Sequence, residues 1–86
     1  MEKSPGKARA YNARGVAYIN KGQYDKALAD FSRALEINSN YANIYYNRAY
    51  AYTNKDEHEK AISDYTKAIK INPRDKEAYN NRGATY

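Results

Sequence analysis

The 86-residue sequence predicts an all-α fold, an α-solenoid of antiparallel helix-turn-helix units with about five helices, and three observations predict it. The first is a period of 34 residues: segments 8–41 and 42–75 share thirteen identities, at Ala8, Tyr11, Arg14, Ala17, Tyr18, Asn20, Lys21, Lys26, Ala27, Asp30, Ala34, Ile37 and Asn38, where chance gives about two. The register opens a third time, because Tyr79, Arg82 and Tyr86 stand 34 residues beyond Tyr45, Arg48 and Tyr52. The second is helical spacing, since small and apolar residues recur at i, i+3, i+4 and i+7 twice within each repeat. The third is that the breaks are short, which makes successive helices antiparallel neighbours.

The predicted helices lie at about 5–21, 24–37, 41–54, 58–71 and 75–86, and no strand is expected. The first opens at Ser4 and Pro5, which suit an N-cap and a first helical position. Its packing face is Tyr11, Arg14, Gly15 and Tyr18, and Gly22 in the following break suits the left-handed residue that closes a helix. Tyr24, Ala27, Leu28, Phe31, Ala34 and Leu35 form the face of the second helix. Asn38, Ser39 and Asn40 then end that helix with polar groups able to cap the next. In the second repeat Asp56 takes the place of Gly22, at some backbone cost. Pro73 disfavours helix at Asn72 and so stops the fourth helix. Gly15, Ala27 and Ala34, with Ala49, Ala61 and Ala68, remove bulk where helix axes approach, and the tyrosines and Phe31 fill the space beside them.

Composition narrows the function. A chain of this length has room for one domain and buries only about 60 to 65% of its unfolded surface, so modest stability is expected. Cysteine is absent and His58 is the single histidine, which excludes a disulfide framework and a Cys/His zinc site. A reducing compartment is therefore permitted, and a cytoplasmic location is expected. No apolar run approaches the ~20 residues that span a bilayer. The net charge of +5 invites a nucleic-acid reading, but Lys and Arg are interspersed with Asp and Glu, as in Asp56-Glu57-His58-Glu59-Lys60. Intermixed charge marks a solvated face, so neither a nucleic acid nor a membrane is an expected partner.

With these residues in place the chain resembles the tetratricopeptide repeat family. The motif positions are met by Tyr11, Arg14, Gly15, Tyr18, Ala27, Phe31, Ala34 and Ser39, and again by Tyr45, Arg48, Ala49, Tyr52, Ala61, Tyr65, Ala68 and Pro73. The resemblance implies a right-handed superhelical stack divided into a leader (1–7), repeats at 8–41 and 42–75, and the first helix of a truncated third repeat at 76–86. Departures include Arg where the family has Leu, three times, and Ser39 for Pro.

The resemblance also implies that each first helix lines a concave groove for a protein or peptide partner. The residues that packing leaves free there are Arg9, Asn12, Ala13, Val16 and Asn20, then Asn43, Tyr46, Asn47, Tyr50 and Asn54, then Glu77, Asn80, Asn81 and Ala84. Of these, Arg9, Asn12, Val16, Asn43, Tyr46, Asn47, Tyr50, Asn54, Asn80 and Asn81 are the candidate groove residues. A carboxamide both donates and accepts, so it can read a peptide backbone, and Asn47 and Asn81 match the asparagine ladder of peptide-gripping members. The carboxylate clamp that holds acidic chaperone tails is met only at Asn47, with Asn12, Val16, Glu77 and Asn81 elsewhere, which disfavours that ligand.

Arg14, Arg48 and Arg82 form a tempting anion-binding row. The competing expectation is that Arg14 pairs with Asp30 and Arg48 with Asp64, each pair sixteen residues apart. His58 sits where the first repeat has Tyr24 and reads as a packing residue. No nucleophile has a His partner and Gly6, Gly15, Gly22 and Gly83 are scattered, so neither an enzyme, a cofactor nor a metal is expected. The alternative to a groove ligand is self-association through the terminal helix, whose Ala78, Tyr79, Arg82 and Tyr86 would lack cover.

Overall fold

The computed structural model describes residues 5–72, and among them four helices and no strand. They are α1 (Pro5–Asn20), α2 (Tyr24–Ile37), α3 (Ala42–Asn54) and α4 (His58–Ile71). The expected fifth helix at 75–86 lies outside the described residues. Each helix packs on the next in sequence, and α1 also touches α3, so the first helices of the two repeats lie side by side.

The turns inside the repeats are copies of one another. Gly22 has φ +75° and Asp56 has φ 62°, both left-handed, and both follow a first helix. After α1 the backbone closes with Gly22 N–H to Ile19 O at 2.9 Å and Gln23 N–H to Tyr18 O at 2.8 Å. After α3 the same bonds are Asp56 N–H to Thr53 O at 3.0 Å and Glu57 N–H to Tyr52 O at 2.9 Å. These satisfy carbonyls that a helix end otherwise leaves unpaired. Side-chain capping between the repeats departs from expectation. The N-cap of α3 is Tyr41 and makes no side-chain cap bond. Asn38 instead folds its Oδ1 onto the N–H of Asn40 at 2.9 Å, bracing the connection.

Small residues set the helix spacing, as their positions predicted. Ala27, Ala34, Ala49, Ala61 and Ala68 are wholly buried, and so are Ala8 and Ala51. Phe31 is sealed against Gly15, where an added Cβ would meet its ring atoms at 2.5, 2.8 and 2.9 Å. In the second repeat Tyr65 takes the place of Phe31 and packs with Ala49 and Ala61. Ile44 of α3 joins the core of Phe31 and Leu35 on α2, so burial runs continuously across the repeat boundary.

One ion pair fastens the two helices within each repeat. Arg14 reaches Asp30 through Nε and Nη2, both at 2.8 Å, and Arg48 reaches Asp64 at 2.7 and 2.9 Å. Each guanidinium also lies between two tyrosine rings of its own helix, Arg14 between Tyr11 and Tyr18, and Arg48 between Tyr45 and Tyr52. The hydrogen bond it donates to its aspartate holds each arginine more firmly protonated than usual. Arg14 and Arg48 are therefore committed within the fold and do not form an anion-binding row. Arg82 lies outside the described residues.

Candidate functional site

Because α1 and α3 are adjacent, their free faces meet in one surface with two depressions. The first, of about 220 Å³, is lined by Arg9, Asn12, Tyr41, Asn43 and Ile44. The second, of about 280 Å³, is lined by Val16, Ile19, Asn20, Tyr46, Asn47 and Tyr50. Seven of the candidate residues thus fall on this surface. Asn54 does not line it, since its Nδ2 donates to the carbonyl of Tyr50 at 2.9 Å on its own helix. Asn80 and Asn81 lie outside the described residues.

Between the depressions runs a bridge that links the two repeats. Nδ2 of Asn47 donates to Oδ1 of Asn12 at 3.0 Å. Both side chains are half-buried, so the contact is shielded from competing water on one side only. A carboxamide has two donor hydrogens and two acceptor lone pairs, and among the described residues the Oδ1 of Asn47 has no further donor and the Nδ2 of Asn12 no further acceptor. One oriented donor and one oriented acceptor are what a peptide unit of an extended chain can engage.

The walls are held from below. Tyr46 sets its ring edge-on to buried Tyr65, with centroids 5.7 Å apart at 61°. That geometry is the favoured one for aromatic pairs and fixes Tyr46 in place. Among the described residues Tyr50 has no such ring contact, and it is 42% exposed, which offers a large apolar face with a polar tip. Sequence reasoning missed Tyr41, Ile44 and Ile19. Ile44 falls three residues after Tyr41 in the helical pattern that continues with Tyr45 and Arg48, a signal present in the sequence but not used.

A separate concavity, at the open face of α1, is lined by Lys7, Ala10, Tyr11 and Arg14. In the second repeat the corresponding face bears Tyr41, Ile44, Tyr45 and Arg48 and is covered by α2, whose Ser32 Oγ accepts from Arg48 Nη1 at 3.2 Å. At the loop end, Lys55 bridges Asp25 of the first repeat and Glu57 of its own. Hydrogen bonding from Lys60 draws the Glu57 carboxyl below its usual range. Among the described residues there is no cluster of metal-ligating side chains and no helix long and apolar enough to cross a membrane.

The geometry has close counterparts among solved structures. The first TPR of Spaghetti (RPAP3), bound to the HSP90 peptide SRMEEVD, is 27% identical with a TM-score of 0.94, over 99% of this chain and 68% of that one. The second TPR domain of human RPAP3, in complex with the HSP70 peptide SGPTIEEVD, is 28% identical with a TM-score of 0.90, over 95% of this chain and 69% of that one. The protein MamA is 34% identical with a TM-score of 0.91, over 96% of this chain and 45% of that one. No curated protein sequence matches the chain. The sequence pattern of the tetratricopeptide repeat matches residues 8–41 and 42–75. With that pattern met twice in tandem and the helix pairs folded accordingly, the chain belongs to the tetratricopeptide repeat family.

Proposed function

We propose that this chain is a protein-interaction module that holds an extended peptide along the surface where α1 and α3 meet, gripped at its backbone by the Asn12–Asn47 pair. The single observation that carries the reading is the hydrogen bond between those two carboxamides, because it orients a donor and an acceptor side by side between two depressions. The sequence alone suggested a ladder of single asparagines; the bridge makes the pair the gripping unit. Support comes also from the relatives whose structures contain peptides from HSP90 and HSP70. The particular tail they hold is a poorer fit here, since Asn12 and Val16 stand where the carboxylate clamp has Lys and Asn.

Affinity should be weak for the isolated chain. Each hydrogen bond adds about 0.5 to 1.5 kcal/mol, whereas micromolar binding needs roughly 8 kcal/mol. The test is fluorescence anisotropy with peptides selected from an array. Asn47→Ala and Asn12→Ala should each weaken binding by roughly 2- to 12-fold, the range one such bond supports. Binding that is unchanged in both variants removes the groove assignment.

Self-association is the competing reading, and the described surface gives it little. The helix proposed for it lies outside the described residues. At the opposite face Lys7 and Ala10 replace the Tyr41 and Ile44 of the second repeat, which leaves less apolar area for a second copy.

A further inference from the structure

The two depressions differ in chemistry, and the difference points to the kind of peptide they take. Arg9 is the one charged residue that lines either of them. It is exposed, and among the described residues no carboxylate pairs with it. The other depression is walled by Val16, Ile19, Tyr46 and Tyr50 and carries no charge. One end of the surface therefore complements an anion and the other a bulky apolar group, with the asparagine bridge between them.

Spacing converts this into a register. Arg9 and Val16 are seven residues apart on α1, about 10 Å along the helix axis at 1.5 Å per residue. An extended polyproline-II chain rises about 3.1 Å per residue and returns the same face every third residue, so positions three apart span about 9 Å and point the same way. A peptide laid along that line would set the units between those positions over Asn12 and Asn47.

We propose that the peptide held in this groove carries an acidic side chain, facing Arg9, three residues from a bulky apolar side chain seated between Val16 and Tyr50. The inference rests on the groove reading given above and adds the ligand's sequence preference to it. The acid is a side chain and not a chain end, because the clamp that holds a terminal carboxylate is met here only at Asn47.

The probes are fluorescein-labelled, C-terminally amidated peptides in a serine background, with glutamate three residues before leucine and with the reverse order. Against the 86-residue chain, at least one order should bind about two- to fivefold more tightly than its lysine-for-glutamate counterpart, the range an exposed ion pair supports. Arg9→Glu should invert that preference, and Tyr50→Ala should weaken glutamate and lysine peptides alike. Moving leucine one residue closer should reduce binding. Equal binding of glutamate and lysine peptides, with Asn47→Ala still weakening both, overturns the preference and leaves the groove reading standing. Binding that appears only with a free C-terminal carboxylate also overturns it. If no peptide binds, or if the asparagine variants change nothing, both fall together.

Discussion

Arg14–Asp30 and Arg48–Asp64 are the same device built twice, with the same sixteen-residue separation and the same paired bonds, yet they differ in setting. The side chain of Arg14 is 61% exposed and that of Arg48 is 17% exposed, because α2 covers the second and adds the Ser32 contact. Local sequence therefore fixes the geometry of an ion pair, while its neighbour in the stack decides how much that pair matters. Arg48→Ala leaves Asp64, 3% exposed, as an uncompensated buried carboxylate, and a loss of about 3 to 5 kcal/mol is expected. Arg14→Ala opens Asp30 to water as it removes the cover, so its loss should be clearly smaller. Urea denaturation of both variants checks this, and equal midpoints would break the contrast between the repeats.

The two aromatic anchors sharpen the same comparison on a smaller scale. Phe31 presses on Gly15, whereas Tyr65 packs beside Ala49, so the repeats reach similar spacing with different pairs. Gly15→Ala gains about 0.5 to 1 kcal/mol of helix preference, but its methyl group enters a sealed ring contact, and overpacking of that kind costs about 1 to 3 kcal/mol. A net destabilisation of about 1 kcal/mol is expected from thermal unfolding. A stabilised variant would mean that the core around Phe31 can give way.

Much of this was legible because the period projects each repeat onto the next. Gly22 and Asp56, Arg14 with Asp30, and the buried alanines all follow from reading one repeat and shifting by 34 residues. What escaped the sequence are contacts that join unlike positions of different repeats. Asn12 meets Asn47 at a separation of 35, one off the period, so symmetry alone pairs Asn12 with Tyr46 and Asn47 with Ala13. Arg48 meets Ser32 backward across the boundary, and Lys55 meets Asp25 in the same way. Such pairs depend on the rotation between neighbouring helices, which is a property of packing and not of any one helix. The candidate groove was thus visible as a set of faces, while its division by the asparagine bridge was not.

The smallest expected effect lies in the hydroxyl that distinguishes Tyr65 from Phe31. Burial raises the Tyr65 pKa, and the hydrogen bond with Thr53 only partly opposes this. In the unfolded chain a tyrosine titrates near 10. As the pH rises past that value the unfolded state releases the proton while the folded state retains it, so stability falls with pH until the folded group titrates in turn. Tyr65→Phe should cost about 1 kcal/mol at neutral pH, through the lost hydrogen bond. Its deficit should then shrink as the pH climbs above about 10, since the variant lacks this one alkaline loss while the other ten tyrosines are common to both proteins. Denaturation midpoints of the two proteins at neutral and alkaline pH give the difference directly. A deficit that stays constant would mean that the Tyr65 hydroxyl reaches water in the folded state, and that the second repeat is as open at its core as the first is at its surface.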